Sequence, residues 1–400
     1  MAHWNIGSFA IDGRYIQDHF PGIGRYTYNL VDALARVAPE VKFVLFHNPT
    51  LKNTRYDVAM LARHPNIELH RVDVPTFSLA EQYRLPFATL APPARAGVRS
   101  SRFVVFHSPY YIKPYFLPVS SVVTLFDLIP LLFPDDVPSP RARFFFRWAV
   151  WLAAKTASRV IVPSAATRDD LIARLRVPRE KIAMIPLAAD ARFAPQSSAS
   201  IARMRERYAL PERYVLYVGI NKPHKNIATL REAWARVESD AVMVIAGAWD
   251  ERYAAKVKSQ RSKVRNQEAA VSRRRSAVRF IHNVDDADLP ALYAGATIFV
   301  MPSLYEGFGL TPLEAMACGA PLICSNASAL PEVVGDAALL VNPRDAAEIA
   351  RTIACVLDDA AQRDDLGAKS LARAAQFSWE RTARETLQVY RAARAPVISS

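Results

Sequence analysis

A chain of 400 residues, 51% hydrophobic and 22% charged, has the length for two domains with sizeable cores and excludes a disordered, collagen-like or solenoid-repeat protein. Its net charge of +13 calls for an anionic partner (nucleic acid, acidic membrane or phosphorylated ligand) or reflects a basic proteome or solubility. Three cysteines, Cys318, Cys324 and Cys355, lack Cys-x2-Cys or His spacing, which excludes a disulfide framework and a zinc site and suits a reducing cytosol. The start, MAHWNIGSFAIDGRY, shows no signal-peptide pattern, and no apolar run reaches the roughly 18 residues of a membrane-spanning helix.

From Trp4 to about Asp190 the runs NIGSFAID, KFVLFHN, IELHRVDV, FVVFHSP, SVVTLFDLIP, RVIVPS and KIAMIPLA alternate with helical patterns. Such alternation predicts a parallel sheet with helices on both faces, binding ligands beyond the carboxyl ends of its strands. After the first strand, PGIGRYTYNLVDALARV (Pro21 to Val37) offers two glycines, Gly22 and Gly24, that allow close backbone approach or make an ordinary turn, followed by Leu30, Leu34 and Val37 at helical spacing. The segment from Arg141 to Lys155 mixes Arg141, Arg143, Arg147 and Lys155 with aromatics; it suits either a helix lying on an anionic membrane or an amphipathic helix packed on its own sheet. Arg192 to Ser200, small, polar and proline-marked, reads as a linker.

In the second half YVLYVG, AVMVIAG and VRFIHNV predict further strands. Lys256 to Arg279 holds nine basic residues against Glu268, a solvated helix face, a mobile loop or a contact for anionic lipid headgroups. The stretch Val300 to Pro343 organises the rest. TIFVMPS is a short, partly β-branched run stopped by Pro-Ser, as in a strand buried on both faces. A loop with Glu306, Gly307 and Gly309 follows, and Thr311-Pro312-Leu313-Glu314 predicts a helix start with Thr311 as N-cap, Pro312 at the first position and Glu314 closing a capping box. Free N–H groups and roughly half a positive charge at that start suit a phosphate. With Glu306 in the loop and Glu314 in the first turn, both carboxylates face one pocket, where each charge-assisted hydrogen bond from a hydroxyl contributes about 1.5–3 kcal/mol. A polyhydroxylated ligand bearing a phosphate would use all of these groups. The tail from Phe377 to Arg391 has a Ser378 cap and apolar Ala383, Leu387 and Tyr390, and reads as a helix.

Glu306-x7-Glu314 within PSLYEGFGLTPLEAMACGAPLICSN, with Leu330 to Val333 as Leu-Pro-Glu-Val, resembles the Glu-x7-Glu signature of the retaining nucleotide-sugar glycosyltransferases of family 4, especially bacterial mannosyl- and rhamnosyltransferases of surface polysaccharide synthesis. The resemblance covers nearly the whole chain. It implies an α/β GT-B fold, two facing Rossmann-like domains with parallel sheets and an interdomain cleft: residues 1–192 on the acceptor side, 201–376 for the nucleotide sugar, and a helix in 377–400 returning to the first domain. It implies that Glu306 takes hydroxyls of the transferred sugar, that Glu314 takes the ribose, and that Lys225 with the backbone of Phe308, Gly309, Leu310 and Thr311 takes the pyrophosphate. Gly22, Ile23 and Gly24 match the family's loop near donor phosphate and acceptor.

Two positions depart from the family pattern. Phe126 stands where relatives carry a histidine, beside Asp127, which is read as an acceptor contact or as the cap of the next turn. His224 stands where an arginine partners Lys225, and Lys222 is placed to supply the missing charge. His107, at a strand end, has the look of a satisfied structural histidine. The family implies no metal or other cofactor, a nucleotide-sugar co-substrate with GDP-mannose favoured, and a glycan or polyprenyl-linked acceptor; the sequence shows none of the usual nucleic-acid-binding signatures, so no nucleic acid is expected. It also implies retention without a protein nucleophile and a cytoplasmic site, at the inner face of the membrane if lipid-bound. A non-catalytic membrane- or anion-binding protein on a degenerate GT-B fold is the alternative.

Overall fold

The computed structural model describes residues 8–90, 103–137, 139–253, 277–282 and 284–393. The apolar runs of the N-terminal half become β1 (Ser8–Asp12), β2 (Phe43–His47), β3 (Ile67–Arg71), β4 (Phe103–Ser108), β5 (Ser120–Thr124), β6 (Arg159–Val162) and β7 (Ile182–Met184). They form one parallel sheet in the order β3-β2-β1-β4-β5-β6-β7. All five residues of β1 are buried, which is why SFAID shows no polar alternation: the strand is covered on both faces. The edge strands β3 and β7 are only partly buried: β3 carries Glu68, His70 and Arg71, and β7 is the short apolar run Ile182–Met184.

A second parallel sheet follows from β8 (Tyr214–Val218), β9 (Val242–Ala246), β10 (Val278–Ile281), β11 (Ile298–Met301), β12 (Leu322–Ser325) and β13 (Ala338–Val341), in the order β10-β9-β8-β11-β12-β13. In each sheet the strand order reverses once, between β1 and β4 in the first and between β8 and β11 in the second. The loops leaving the carboxyl ends on either side of such a reversal frame the place where open α/β sheets take ligands.

Residue contacts divide the chain into two units, one of Met1–Leu128, Ser139–Leu187 and Ser378–Ser400, the other of Ile129–Pro138 and Ala188–Phe377. In the first, helix Trp379–Ala393 packs along helix Pro21–Val37. Ser378 Oγ accepts the Arg381 N–H at 3.2 Å, and Ala383, Leu387 and Tyr390 bury the face that faces inward. The Phe9 and Tyr390 rings lie 5.1 Å apart, an aromatic pair contributing about 0.5–1.5 kcal/mol beyond its buried area. The expected linker is partly helical: Ser197 caps helix Ser198–Arg207, its Oγ accepting from the Ser200 N–H, so small polar residues here serve a helix start. Of the basic residues between Lys256 and Arg279, Arg279 lies on β10, where it donates to the Ala209 carbonyl, and the other eight fall outside the described residues.

Candidate active site

The loop after β8 and the loop after β11 flank the reversal of the second sheet, and they are laced together. Asn226 sits in the left-handed region at φ 59°, ψ 30°, which an asparagine tolerates, and its Nδ2 donates to the carbonyls of Pro302 and Pro343 at 3.0 and 2.6 Å. The Leu304 N–H donates to the His224 carbonyl at 2.8 Å. This lacing brings the Lys225 ammonium to the Glu306 carboxylate, with Nζ 2.7 Å from Oε1 and 2.8 Å from Oε2. Ser303 Oγ donates to Oε1 at 2.6 Å, and the Glu306 N–H donates to Ser328 Oγ at 2.8 Å. Burial pushes the Glu306 pKa up, but the charges of Lys225 and His224 and the hydrogen bonds from Lys225 and Ser303 outweigh it, so the carboxylate stays ionised below its ordinary range.

A carboxylate offers about four acceptor sites, of which Lys225 and Ser303 fill three, and an ammonium has three N–H groups, of which Glu306 takes two. The pair can therefore accept one ligand hydroxyl and donate one bond to a ligand anion without separating. The sequence placed both residues in the site but gave no sign that they meet, and it passed over Ser303 as a strand stop. A spacing of three positions from Ser303 to Glu306, across a turn after a strand, is the signal that could have found it.

The helix after Glu306 starts earlier than its sequence suggests. It runs Leu310–Ala317 with Gly309 as N-cap at φ 117°, so Thr311 is not the cap and Glu314 closes no capping box. The reason is backbone geometry: the chain turns at a positive φ that glycine alone adopts cheaply, and this places the cap two residues ahead of Thr311. Pro312 then falls within the first four positions, where its missing N–H has no helical partner to lose. Phe308 is buried against Phe377, and the N–H groups of Leu310 and Thr311 belong to the first turn. Glu314, in the second turn and 3% exposed, accepts the Tyr293 hydroxyl on Oε2 at 3.3 Å. Burial, then the Glu314 charge, pushes the neighbouring Cys318 thiol up to about 12, which leaves it an inert thiol.

His224 is buried, and its Nδ1 meets the Asp136 carboxylate. Asp136 comes from the Ile129–Pro138 segment, whose Phe133 ring contacts both His224 and Tyr305, and the Asp136 carbonyl accepts the Tyr253 hydroxyl at 2.9 Å. Nothing local in the sequence marks Asp136. Lys222 caps the short turn Pro223–Lys225, and its charge, after the bonds from Arg252, helps hold the Asp250 carboxyl low.

In the first unit Gly22, Ile23 and Gly24 lie inside helix Pro21–Val37 rather than in a loop before it; Pro21 fits the first helical position and sets the start there. A Cβ on Gly22 would meet nothing within 4 Å, whereas one on Gly24 would stand 3.1 Å from the Tyr15 carbonyl oxygen, so close approach is required at Gly24 alone. Asp127 is half-buried and adds, after burial, to the raised pKa values of Tyr110 and Tyr111. Phe126 packs edge-on to Tyr26 at 5.1 Å. His107 is fully buried, with Nδ1 2.6 Å from the Tyr390 hydroxyl and Nε2 2.8 Å from Thr124 Oγ1, and burial pushes its pKa down to about 3. Among the described residues no group of three or more His, Cys, Asp or Glu side chains could hold a metal ion.

The family described as Glycosyltransferase Family 4 matches residues 21–193, and that described as Glycosyl transferases group 1 matches residues 201–373. The chain is 33% identical over 386 residues to the O-antigen chain mannosyltransferase B of Escherichia coli, covering 92% of this chain and 96% of that protein. Among solved structures it is similar to sucrose-phosphate synthase of Thermosynechococcus elongatus, with a TM-score of 0.71, 24% identity and 96% and 98% of the two chains covered. It is also similar to the Anabaena protein HepE in complex with UDP and glucose, with a TM-score of 0.70, 19% identity and 96% and 99% covered. The fold is thus GT-B, with two all-parallel α/β units.

Proposed function

The chain belongs to the glycosyltransferases of family 4, and from that premise we propose that it moves mannose from GDP-mannose to a glycan or lipid-linked acceptor, with retention of configuration and without a metal ion. The sugar is taken from the mannosyltransferase name of the Escherichia coli relative. The alternative of a non-catalytic binding protein finds no support among these relatives.

The observation that carries the reading is the Lys225–Glu306–Ser303 cluster at the strand-order reversal. The open acceptor site of Glu306 takes a hydroxyl of the transferred sugar. The remaining Lys225 N–H, with the backbone N–H groups from Phe308 to Thr311, takes the diphosphate, on which negative charge grows as the glycosidic bond breaks. Glu314 binds the ribose, and His224 borders the diphosphate. Gly22, Ile23 and Gly24 serve the donor phosphate, and Asp127 contacts the acceptor. The acceptor hydroxyl attacks the face that the diphosphate leaves, and a phosphate oxygen takes its proton.

Calorimetric titration with GDP-mannose in chelator tests donor and metal independence together. Saturable binding, followed by transfer to a glycan acceptor with an α-linked product, is expected. Binding of UDP- or dTDP-sugars instead would move the sugar assignment; loss of transfer in chelator would overturn metal independence; an inverted anomeric centre would overturn retention.

A further inference from the structure

The helix Pro140–Thr156 has one covered face and one that no part of the described chain covers. Phe146, Ala149, Val150, Ala153 and Ala154 are buried in the first unit, with the Phe146 ring 4.8 Å from that of Tyr111. On the other side Phe144 is 72% exposed, Phe145 56%, Trp148 51% and Trp151 42%. At 100° per residue Arg141, Phe144, Trp148, Trp151 and Lys155 fall within an arc of about 80° that runs about 21 Å along the helix, with Phe145 flanking one side and Arg147 the other. Large aromatics usually hide; here four are held in water by a helix whose Ser139 cap and buried face fix their direction.

Every charged residue of the helix is basic: Arg141, Arg143, Arg147 and Lys155. The positive field continues past its end, where Lys181 Nζ donates to the Lys155 carbonyl at 2.9 Å. Burial, then the charges of Lys155 and Arg159, lowers the Lys181 pKa; cations pressed together in this way are relieved by an outside anion.

We propose that this face is a docking surface for an anionic phospholipid bilayer. The helix would lie flat, with Phe144, Trp148 and Trp151 among the headgroups and upper acyl chains and Arg141, Arg147 and Lys155 among lipid phosphates, the division of labour that aromatic and basic side chains take at a membrane interface. A second copy of the chain fits poorly, because a two-fold contact sets the patch against itself and would oppose cation to cation. Among the described residues no helix is long and apolar enough to cross a membrane, so the contact is lateral. The proposal stands whichever sugar the enzyme transfers.

The test is co-sedimentation of the full chain with vesicles of phosphatidylcholine alone and of phosphatidylcholine with phosphatidylglycerol. Binding to the mixed vesicles only, weakened by salt and accompanied by a blue shift of tryptophan emission, is expected. Trp148→Ser with Trp151→Ser, and separately Arg141→Glu with Arg147→Glu, should each lower partitioning by about tenfold or more with unchanged circular dichroism and unchanged transfer to a water-soluble acceptor. The charge variant touches only exposed side chains, so it keeps the test open if the tryptophan variant fails to fold. Failure of the full chain to bind mixed vesicles overturns the proposal. So does wild-type binding by the folded charge variant, which would assign the contact to another basic surface, or a solution dimer that Trp148→Ser converts to monomer.

Discussion

Lys225 Nζ stands 2.7 and 2.8 Å from the two carboxylate oxygens of Glu306, 81 positions further along the chain, so the proposed donor site is built on an ion pair. Glu306→Gln keeps the shape and an acceptor for Ser303 but strands the Lys225 charge. Transfer should fall by about 100-fold or more, the scale of losing a charged contact made in the transition state. Because the folded Glu306 pKa lies below its unfolded value, its stabilising contribution is present above the unfolded carboxylate range of about 4.3 and is lost as pH falls through the folded value. The unfolding free energies of wild type and Glu306→Gln should therefore converge below that range. Unchanged turnover in Glu306→Gln would sink the assignment.

Gly309 starts its helix at φ 117°, and a Cβ there would lie 3.0 Å from Leu330 Cδ2. Gly309→Ala should cost about 1–3 kcal/mol in denaturant unfolding and weaken donor binding, since the first-turn N–H groups would turn away with the backbone. Unchanged stability would mean that the turn does not need a positive φ.

His107, with both ring nitrogens engaged by Tyr390 and Thr124, is held neutral by burial, its pKa near 3. An unfolded histidine takes a proton near 6.5, so between about 6.5 and 3 the unfolded chain binds more protons and stability falls as pH falls. The contribution approaches about 1.4 kcal/mol per pH unit in mid-range. Unfolding curves from pH 7 to pH 4 should be steeper in pH for wild type than for His107→Gln; parallel dependences would refute the neutral, buried histidine.

The strands were legible because each sheet is buried on both faces, and short apolar runs such as SFAID and TIFVMPS have few other places to go. The loops after β8 and β11 were legible from their glycine and proline punctuation. The N-cap was misplaced because the capping-box pattern at Thr311 and Glu314 is local, while the turn at Gly309 is decided by how the strand-to-helix loop folds back. Lys225 with Glu306 and Asp136 with His224 pair over 81 and 88 residues, and no local pattern registers such meetings. The Pro140–Thr156 helix showed its basic and aromatic residues openly, but periodicity gives two faces without saying which one the fold covers.

Asp136 and His224 supply the remaining prediction. Asp136 Oδ1 is buried and without a hydrogen-bond partner among the described residues, so His224 Nδ1 carries the compensation for an otherwise stranded carboxylate. Asp136→Ala leaves the buried imidazole unmatched, and His224→Ala leaves the carboxylate unmatched; each should cost about 1–3 kcal/mol. The double variant strands neither group and should be less destabilised than the sum of the two, a coupling of about 0.5–3 kcal/mol in a double-mutant cycle. His224 sits one residue from Lys225 in the turn that presents the ammonium, so Asp136→Ala should raise the donor KM more than it lowers kcat for the enzyme that remains folded. Additive stabilities would show the pair to be incidental, and a fall in kcat at constant KM would place Asp136 in the chemical step instead of in holding the turn.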